Sequence, residues 1–136
     1  MDRREEFLRA AKEIVGAENV VSLGDSEGYL DPYPLNPGRT PWPGVRPANT
    51  EEVQAIVRLA TEHEVPLWTF SCGKNLGYGG PEPRDTGMVA LDLSRMKRII
   101  TVDDQLCYAV VEPGVTFFEL FDYIKERGLK VWMSVP

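Results

Sequence analysis

Apolar residues recur at helical spacing from the start of this 136-residue chain. Phe7, Leu8, Ala11, Ile14 and Val15 share one face of an amphipathic helix that Gly16 ends. A second helix is predicted after Asn49, which forms a capping box with Glu52, and its inward positions are Val53, Ile56, Val57 and Ala60. A third follows Thr116 and Glu119 in the same arrangement, with Phe117, Leu120, Phe121 and Ile124 inward and Gly128 closing it. Between the second and third helices the period shortens. The run Val65–Phe70 reads as a buried strand, and Met88–Leu93 is nearly continuous in apolar residues, as expected of a strand covered on both faces. Ile99–Val102 and Cys107–Val111 flank the turn signal Asp103-Asp104 and are predicted to pair antiparallel, with Pro113-Gly114 ending the second. Val131–Pro136 reads as a further apolar strand that stops without a polar tail, the pattern of a longer protein interrupted within an element. The fold class these elements predict is α+β, a small mixed sheet flanked by helices.

Proline changes the picture near the N-terminus. Pro32, Pro34, Pro37, Pro41, Pro43 and Pro47 between Asp31 and Asn49 predict either an extended arm anchored by Tyr33 and Trp42 or a linker. The chain therefore divides into a helix and Pro-rich arm over residues 1–40 and a regular α/β part over 41–136. Composition is that of a globular protein, 43% apolar and 26% charged, with a net charge of −6 that argues against a nucleic-acid surface. No apolar run approaches the roughly 20 residues that span a bilayer. The first residues, Met-Asp-Arg-Arg-Glu-Glu-Phe7, carry no apolar signal region, so a cytoplasmic protein, or a periplasmic one matured by cleavage, is expected. Cys72 and Cys107 lack the spacing of a metal site, and no metal is expected. His63, the one histidine, falls between Glu62 and Glu64 at a helix end and is read as a surface side chain.

The chemistry concentrates in Ser71-Cys-Gly-Lys-Asn-Leu-Gly-Tyr-Gly-Gly80, directly after the Val65–Phe70 strand. Gly73, Gly77, Gly79 and Gly80 remove side chains that would hold a ligand off the backbone, and glycine permits the positive φ at which successive N–H groups converge on an anion. Lys74 adds a cation, Asn75 an amide and Tyr78 an aromatic hydroxyl. The loop matches neither nucleotide fingerprint: Lys74 precedes the second glycine, and Pro-Glu-Pro after Gly80 cannot continue as a helix interior. A phosphate would be held by the loop itself, and a tight turn without a ligand is the competing reading.

Four stretches carry a resemblance. Val45–Gln54, Val65–Gly80, Leu91-Asp-Leu93 and Val111-Glu-Pro-Gly-Val-Thr116, with the closing Trp132-Met-Ser-Val-Pro136, resemble the N-terminal half of the PCMH-type FAD-binding domain of the vanillyl-alcohol oxidase / p-cresol methylhydroxylase flavoproteins. Asn75-Leu-Gly-Tyr-Gly-Gly80 is similar to the branch that oxidises 4-alkylphenols, and the likeness covers about residues 40 to 136. It implies FAD as cofactor, its diphosphate held by Ser71, Gly73, Lys74, Asn75, Leu76, Gly77, Tyr78 and Gly79, with Pro113, Gly114 and Val115 against the adenine end. Lys74 stands where the family often has arginine, so the charge is kept and the planar fork lost. Tyr78 would hydrogen-bond the phenolic oxygen of a substrate and act catalytically. Ser134 replaces an aspartate common in the oxidases, which favours a dehydrogenase or hydroxylase with a cytochrome c-like or azurin-like acceptor over one using O2. Cys72 is read as filler and Trp68 as core.

The implied activity is FAD-dependent oxidation of a small phenolic substrate at its para benzylic carbon through a quinone methide, by a full-length protein that forms a homodimer. Residues 1–136 alone are expected to be inactive. The competing readings are a same-fold oxidase of a 2-hydroxy acid and a non-catalytic nucleotide-binding half-domain that pairs with a second polypeptide.

Overall fold

The computed structural model describes residues 2–22, 29, 42–74, 80–83, 85 and 87–134. Tyr33 and residues 31–41 of the predicted Pro-rich arm lie outside them, while Trp42, Pro43 and Pro47 are described. The first helix, α1, runs Arg3–Val15, with the Asp2 side chain accepting from Arg4 N and Gly16 leaving at φ +86. A 3-10 turn, Ala17–Asn19, leads into the short strand β1, Val20–Val21. Strand β2, Gly44–Val45, precedes helix α2, Thr50–Glu62. Half of the predicted capping box forms there: Asn49 Oδ1 accepts from Glu52 N, but Glu52 Oε2 accepts from Ala48 N instead of Asn49 N. Strands β3, Leu67–Phe70, and β4, Val89–Asp92, follow, then the antiparallel pair β5, Ile99–Asp103, and β6, Tyr108–Val111. Helix α3 spans Phe117–Glu126 behind a complete Thr116/Glu119 capping box and ends at Gly128, φ +62.

The sheet is mixed, in the order β1-β2-β4-β3, with β2–β4 and β4–β3 parallel and β1–β2 antiparallel; β5 and β6 form a separate two-stranded sheet. Register assigns the faces. Val45 lies opposite Leu91 and Val20, and Leu67 opposite Val89; these side chains join Phe7, Ala11, Val15, Ile56 and Ala60 in the core beneath α1 and α2. On the reverse face Gly44 lies opposite Ala90, and Ala90 opposite Trp68. That row is small for a reason. A Cβ on Gly44 would sit 2.7 Å from the ring of Tyr29, whose buried hydroxyl donates to Asp92 Oδ2 at 3.1 Å. Every residue of β4 is buried, as its unbroken apolar pattern predicts.

Several expectations fail. The strand β3, read as buried, is only half-buried with Thr69 exposed, and Trp68, read as core, is half-buried, because β3 is an edge of the sheet. Val57 is 45% exposed, because α2 meets the sheet along Ile56 and Ala60 with Leu59 at its flank. On α3 only Ile124 is buried, while Phe117 and Phe121 are 63% and 53% exposed. Helical periodicity identifies an apolar stripe but not the surface that covers it, and among the described residues little covers this one. Val131–Ser134 form no strand, and residues 135 and 136 lie outside the description.

Gly44→Ala should push Tyr29 off the sheet and lower stability by about 1–3 kcal/mol, the cost of overpacking. Chemical denaturation of wild type and variant checks this, and an unchanged midpoint would show that Tyr29 does not need the bare glycine.

Candidate functional site

The glycine-rich loop leaves the carboxyl end of β3, and the structure defines its stem. Gly73 adopts φ +64 and lies so close to Pro81 that a Cβ would meet that ring at 2.9 Å. On the far side the Trp68 indole N–H donates to Gly80 O at 3.2 Å. Gly73 and Gly80-Pro81 are thus clamped together at the end of one strand. Asn75, Leu76, Gly77, Tyr78 and Gly79 lie outside the described residues. Ser71 and Lys74 are exposed at the stem.

The second predicted segment is brought to the first. Cys72 Sγ donates to Gly114 O at 3.4 Å, so the β3 end and the Pro113–Val115 turn touch. Gly114 is buried, and its N–H donates to Met96 O at 2.8 Å. A Cβ here would stand 2.7 Å from the carbonyl oxygens of Leu93, Ser94 and Met96. Glycine at this position therefore lets the 113–115 turn dock on the turn that follows β4. Pro113 is exposed and Val115 half-buried beside it. Ser134 is exposed and forms no hydrogen bond among the described residues. Both cysteines are free thiols, Cys72 half-buried and Cys107 exposed.

Charge at this junction is paired. Lys97 Nζ lies 2.8 Å from Glu119 Oε1, and Glu119 Oε2 accepts from the Thr116 N–H at 2.7 Å. The Lys97 hydrogen bond, then the Thr116 donors, hold the Glu119 carboxyl down to about 2, and the same bond raises the Lys97 ammonium. Arg98 grips buried Glu112 through its backbone N–H and guanidinium, which lowers the Glu112 carboxyl.

A cavity of about 510 Å³ opens beside the loop stem, lined among others by Tyr29, Arg46, Phe70, Cys72, Asp92 and Ser94. Burial, then the Asp92 carboxylate, pushes the Tyr29 phenol up, so it remains a neutral donor to Asp92. Its place at the carboxyl ends of parallel strands is where open α/β sheets bind ligands. The sequence reading singled out neither Tyr29 nor Arg46. The signal for them was Asp92, a carboxylate inside an apolar strand, which burial obliges to find a donor. Among the described residues no group of three His, Cys, Asp or Glu side chains could hold a metal ion, and no helix is long and apolar enough to cross a membrane.

Known proteins share the sequence pattern and the fold. The model of the FAD binding domain family matches residues 44–135. The 4-cresol dehydrogenase (hydroxylating) flavoprotein subunit of Pseudomonas putida is 41% identical over 95% of this chain and 26% of its own length. The 1'-carboxy-chondrochloren decarboxylase of Chondromyces crocatus is 44% identical over 67% of this chain and 17% of its own. Among solved structures, 4-ethylphenol oxidase from Gulosibacter chungangensis, in its isoeugenol complex, superposes with a TM-score of 0.85 at 37% identity, over 94% of this chain and 25% of that one. The chain thus spans about a quarter, or less, of the length of these relatives.

The Lys97–Glu119 contact yields a pH prediction. A depressed carboxylate contributes stability above its ordinary value of about 4.3, and that contribution is lost as pH falls towards the folded-state value. Lys97→Met should move the Glu119 titration upward from about 2, as read by carboxyl NMR shifts. A titration that stays in place would mean that the Thr116 donors alone set it.

Proposed function

The chain belongs to the FAD binding domain family, and on that footing we propose that it is the cofactor-holding part of an oxidoreductase acting on 4-alkylphenols or related 4-hydroxybenzylic compounds. The observation that carries the substrate class is the 41% identity to a cresol dehydrogenase flavoprotein subunit along 95% of the chain, glycine loop included. The decarboxylase relative is as similar over a shorter part, 67%, so kinship alone does not fix the chemistry, and the loop tyrosine supports the phenol reading.

The residues present suit FAD. A loop stem with a glycine at positive φ, an exposed lysine beside it and an adjoining cavity of about 510 Å³ provide an anion cradle and space for part of a dinucleotide. Ser71, Gly73 and Lys74 with loop residues 75–79 would hold the diphosphate, and Pro113, Gly114 and Val115 would border the adenine end. When bound, FAD supplies the acceptor for a hydride.

The chain's own catalytic contribution centres on Tyr78. Its hydroxyl would donate to the phenolic oxygen of the substrate and stabilise the phenolate. Electron density from that oxygen then favours departure of a hydride from the para benzylic carbon, leaving a quinone methide to which water adds. Ser134, where a carboxylate would otherwise stand, provides no general base and favours a cytochrome c-like acceptor over O2. The relative named as a subunit is in keeping with an acceptor protein, and the relative named as an oxidase keeps O2 as the alternative.

The exposed apolar side chains of α3 (Phe117, Phe118, Phe121) and of the hairpin (Ile100, Leu106, Tyr108, Val110) supply a face for the remainder of the FAD domain and the substrate-binding part of a longer polypeptide. The full-length protein is proposed to form a homodimer.

Tyr78→Phe in the full-length protein should leave the flavin bound and lower turnover of a 4-alkylphenol by about 10²- to 10³-fold. Unchanged turnover would dismiss the phenolate role, and oxidation of a 2-hydroxy acid in its place would establish the competing oxidase reading. Residues 1–136 alone should bind FAD with a Kd above about 1 μM and should not turn over. Tight binding by this chain alone would mean that the half-site suffices.

A further inference from the structure

Strand β3 ends at Phe70, and side-chain alternation carries its cavity-facing row on to Cys72. Both residues line the cavity, Phe70 opposite Asp92 in register and Cys72 beside Pro81. At Gly73 the backbone turns to φ +64 against the Pro81 ring, so Cys72 sits where the strand gives way to the loop stem. A half-buried cysteine is ordinarily small apolar filler, and its place in the sequence suggests nothing else. The structure gives its thiol a partner.

Cys72 Sγ donates to Gly114 O at 3.4 Å, across 42 positions of the chain. The turn that carries this carbonyl is otherwise fastened through its backbone. Gly114 N donates to Met96 O at 2.8 Å and Val115 N to Glu112 O at 3.1 Å, and neither bond reaches β3. Among the described residues the thiol therefore makes the one hydrogen bond between the Pro113–Val115 turn and the loop stem, residues 71–74 with 80 and 81. Gly114 is itself buried against the carbonyl oxygens of Leu93, Ser94 and Met96, and that packing aims its own carbonyl. A buried carbonyl deprived of its donor is costly, which gives a weak S–H bond more weight here than it has in water.

We propose that Cys72 is a positioning residue for FAD, whose thiol holds the adenine-side turn at a fixed distance from the stem that binds the diphosphate. The assignment rests on the FAD reading above, in which those two segments grip neighbouring parts of one ligand. Segments whose spacing is free to vary bind such a ligand less tightly, because binding must then order them. Cys72 acts through Gly114 and needs no contact with the ligand. Both ends of the tether are described residues, and neither belongs to loop residues 75–79.

The test titrates flavin-free full-length protein with FAD, with ADP and with riboflavin, followed by tryptophan and flavin fluorescence. Cys72→Ala should weaken FAD and ADP about five- to ten-fold, the range of one lost hydrogen bond, and leave riboflavin, which has no adenine, within about two-fold. Cys72→Ser, which restores a donor, should recover most of that loss. Cys107→Ala, at the exposed cysteine between β5 and β6, should change none of the three. Filler would behave otherwise: alanine and serine would weaken all three ligands alike, and that result would overturn the assignment. Unchanged FAD and ADP affinity in Cys72→Ala would overturn it equally. A wild-type protein that binds none of the three would defeat the FAD reading, and the assignment with it. Should Cys72→Ala fail to fold, Cys72→Val, which fills the space without a donor, replaces it under the same outcomes.

Discussion

Parallel pairing of Val89–Asp92 with strands on both sides is the constraint on which the rest of this domain depends. A strand in that position has two faces to satisfy, and the chain satisfies them differently. Val89 and Leu91 meet the apolar face formed by α1 and α2. Ala90 and Asp92 look the other way, where Gly44 leaves room for the Tyr29 ring and the Tyr29 hydroxyl answers the Asp92 carboxylate. Burying that carboxylate without its donors would be costly, so the Tyr29 hydroxyl must reach Asp92 for β4 to occupy the centre. The same pairing aligns the carboxyl ends of β2, β4 and β3, and the cavity opens there.

Contacts between main chain and small residues, rather than a shared apolar core, hold the site together. The Pro113–Val115 turn reaches the loop stem because Gly114 fits against three carbonyl oxygens and accepts from the Cys72 thiol. Lys97 and Glu119 then join the turn after β4 to the first turn of α3. Both side chains are substantially exposed, so this pair sets orientation more than stability. Every group implied in cofactor binding that the structure describes, apart from Lys74 and Ser71 on the open rim, is anchored by a named contact or by its neighbours in a turn.

Helix α3 is an instructive case of a helix made by its ends. Its capping box and its Gly128 terminus are complete, yet Phe117, Phe118 and Phe121 face solvent. Local signals set where such an element starts and stops, while a helix of ten residues draws most of its stability from what packs on it. The β5–β6 hairpin is similar, since cross-strand pairing and the Asp103 turn define it while Ile100 and Tyr108 stay exposed. Together they form the apolar side of a domain whose relatives are about four times as long as the chain.

The sequence by itself determined the elements and their punctuation. Asn49/Glu52 and Thr116/Glu119 declared two helices, and the apolar run of β4 declared a doubly covered strand. These are local properties, readable because hydrogen bonding at helix ends and side-chain periodicity act within a few residues. The tertiary structure decided what only long-range packing can. It exposed Val57 and the phenylalanines of α3, left Val131–Ser134 without a strand, and gave Gly114 a role in backbone docking. It also joined Tyr29 to Asp92 across 63 positions and placed Arg46 in the cavity beside Cys72. No periodicity encodes such pairings, because they follow from which strands become neighbours and in what register.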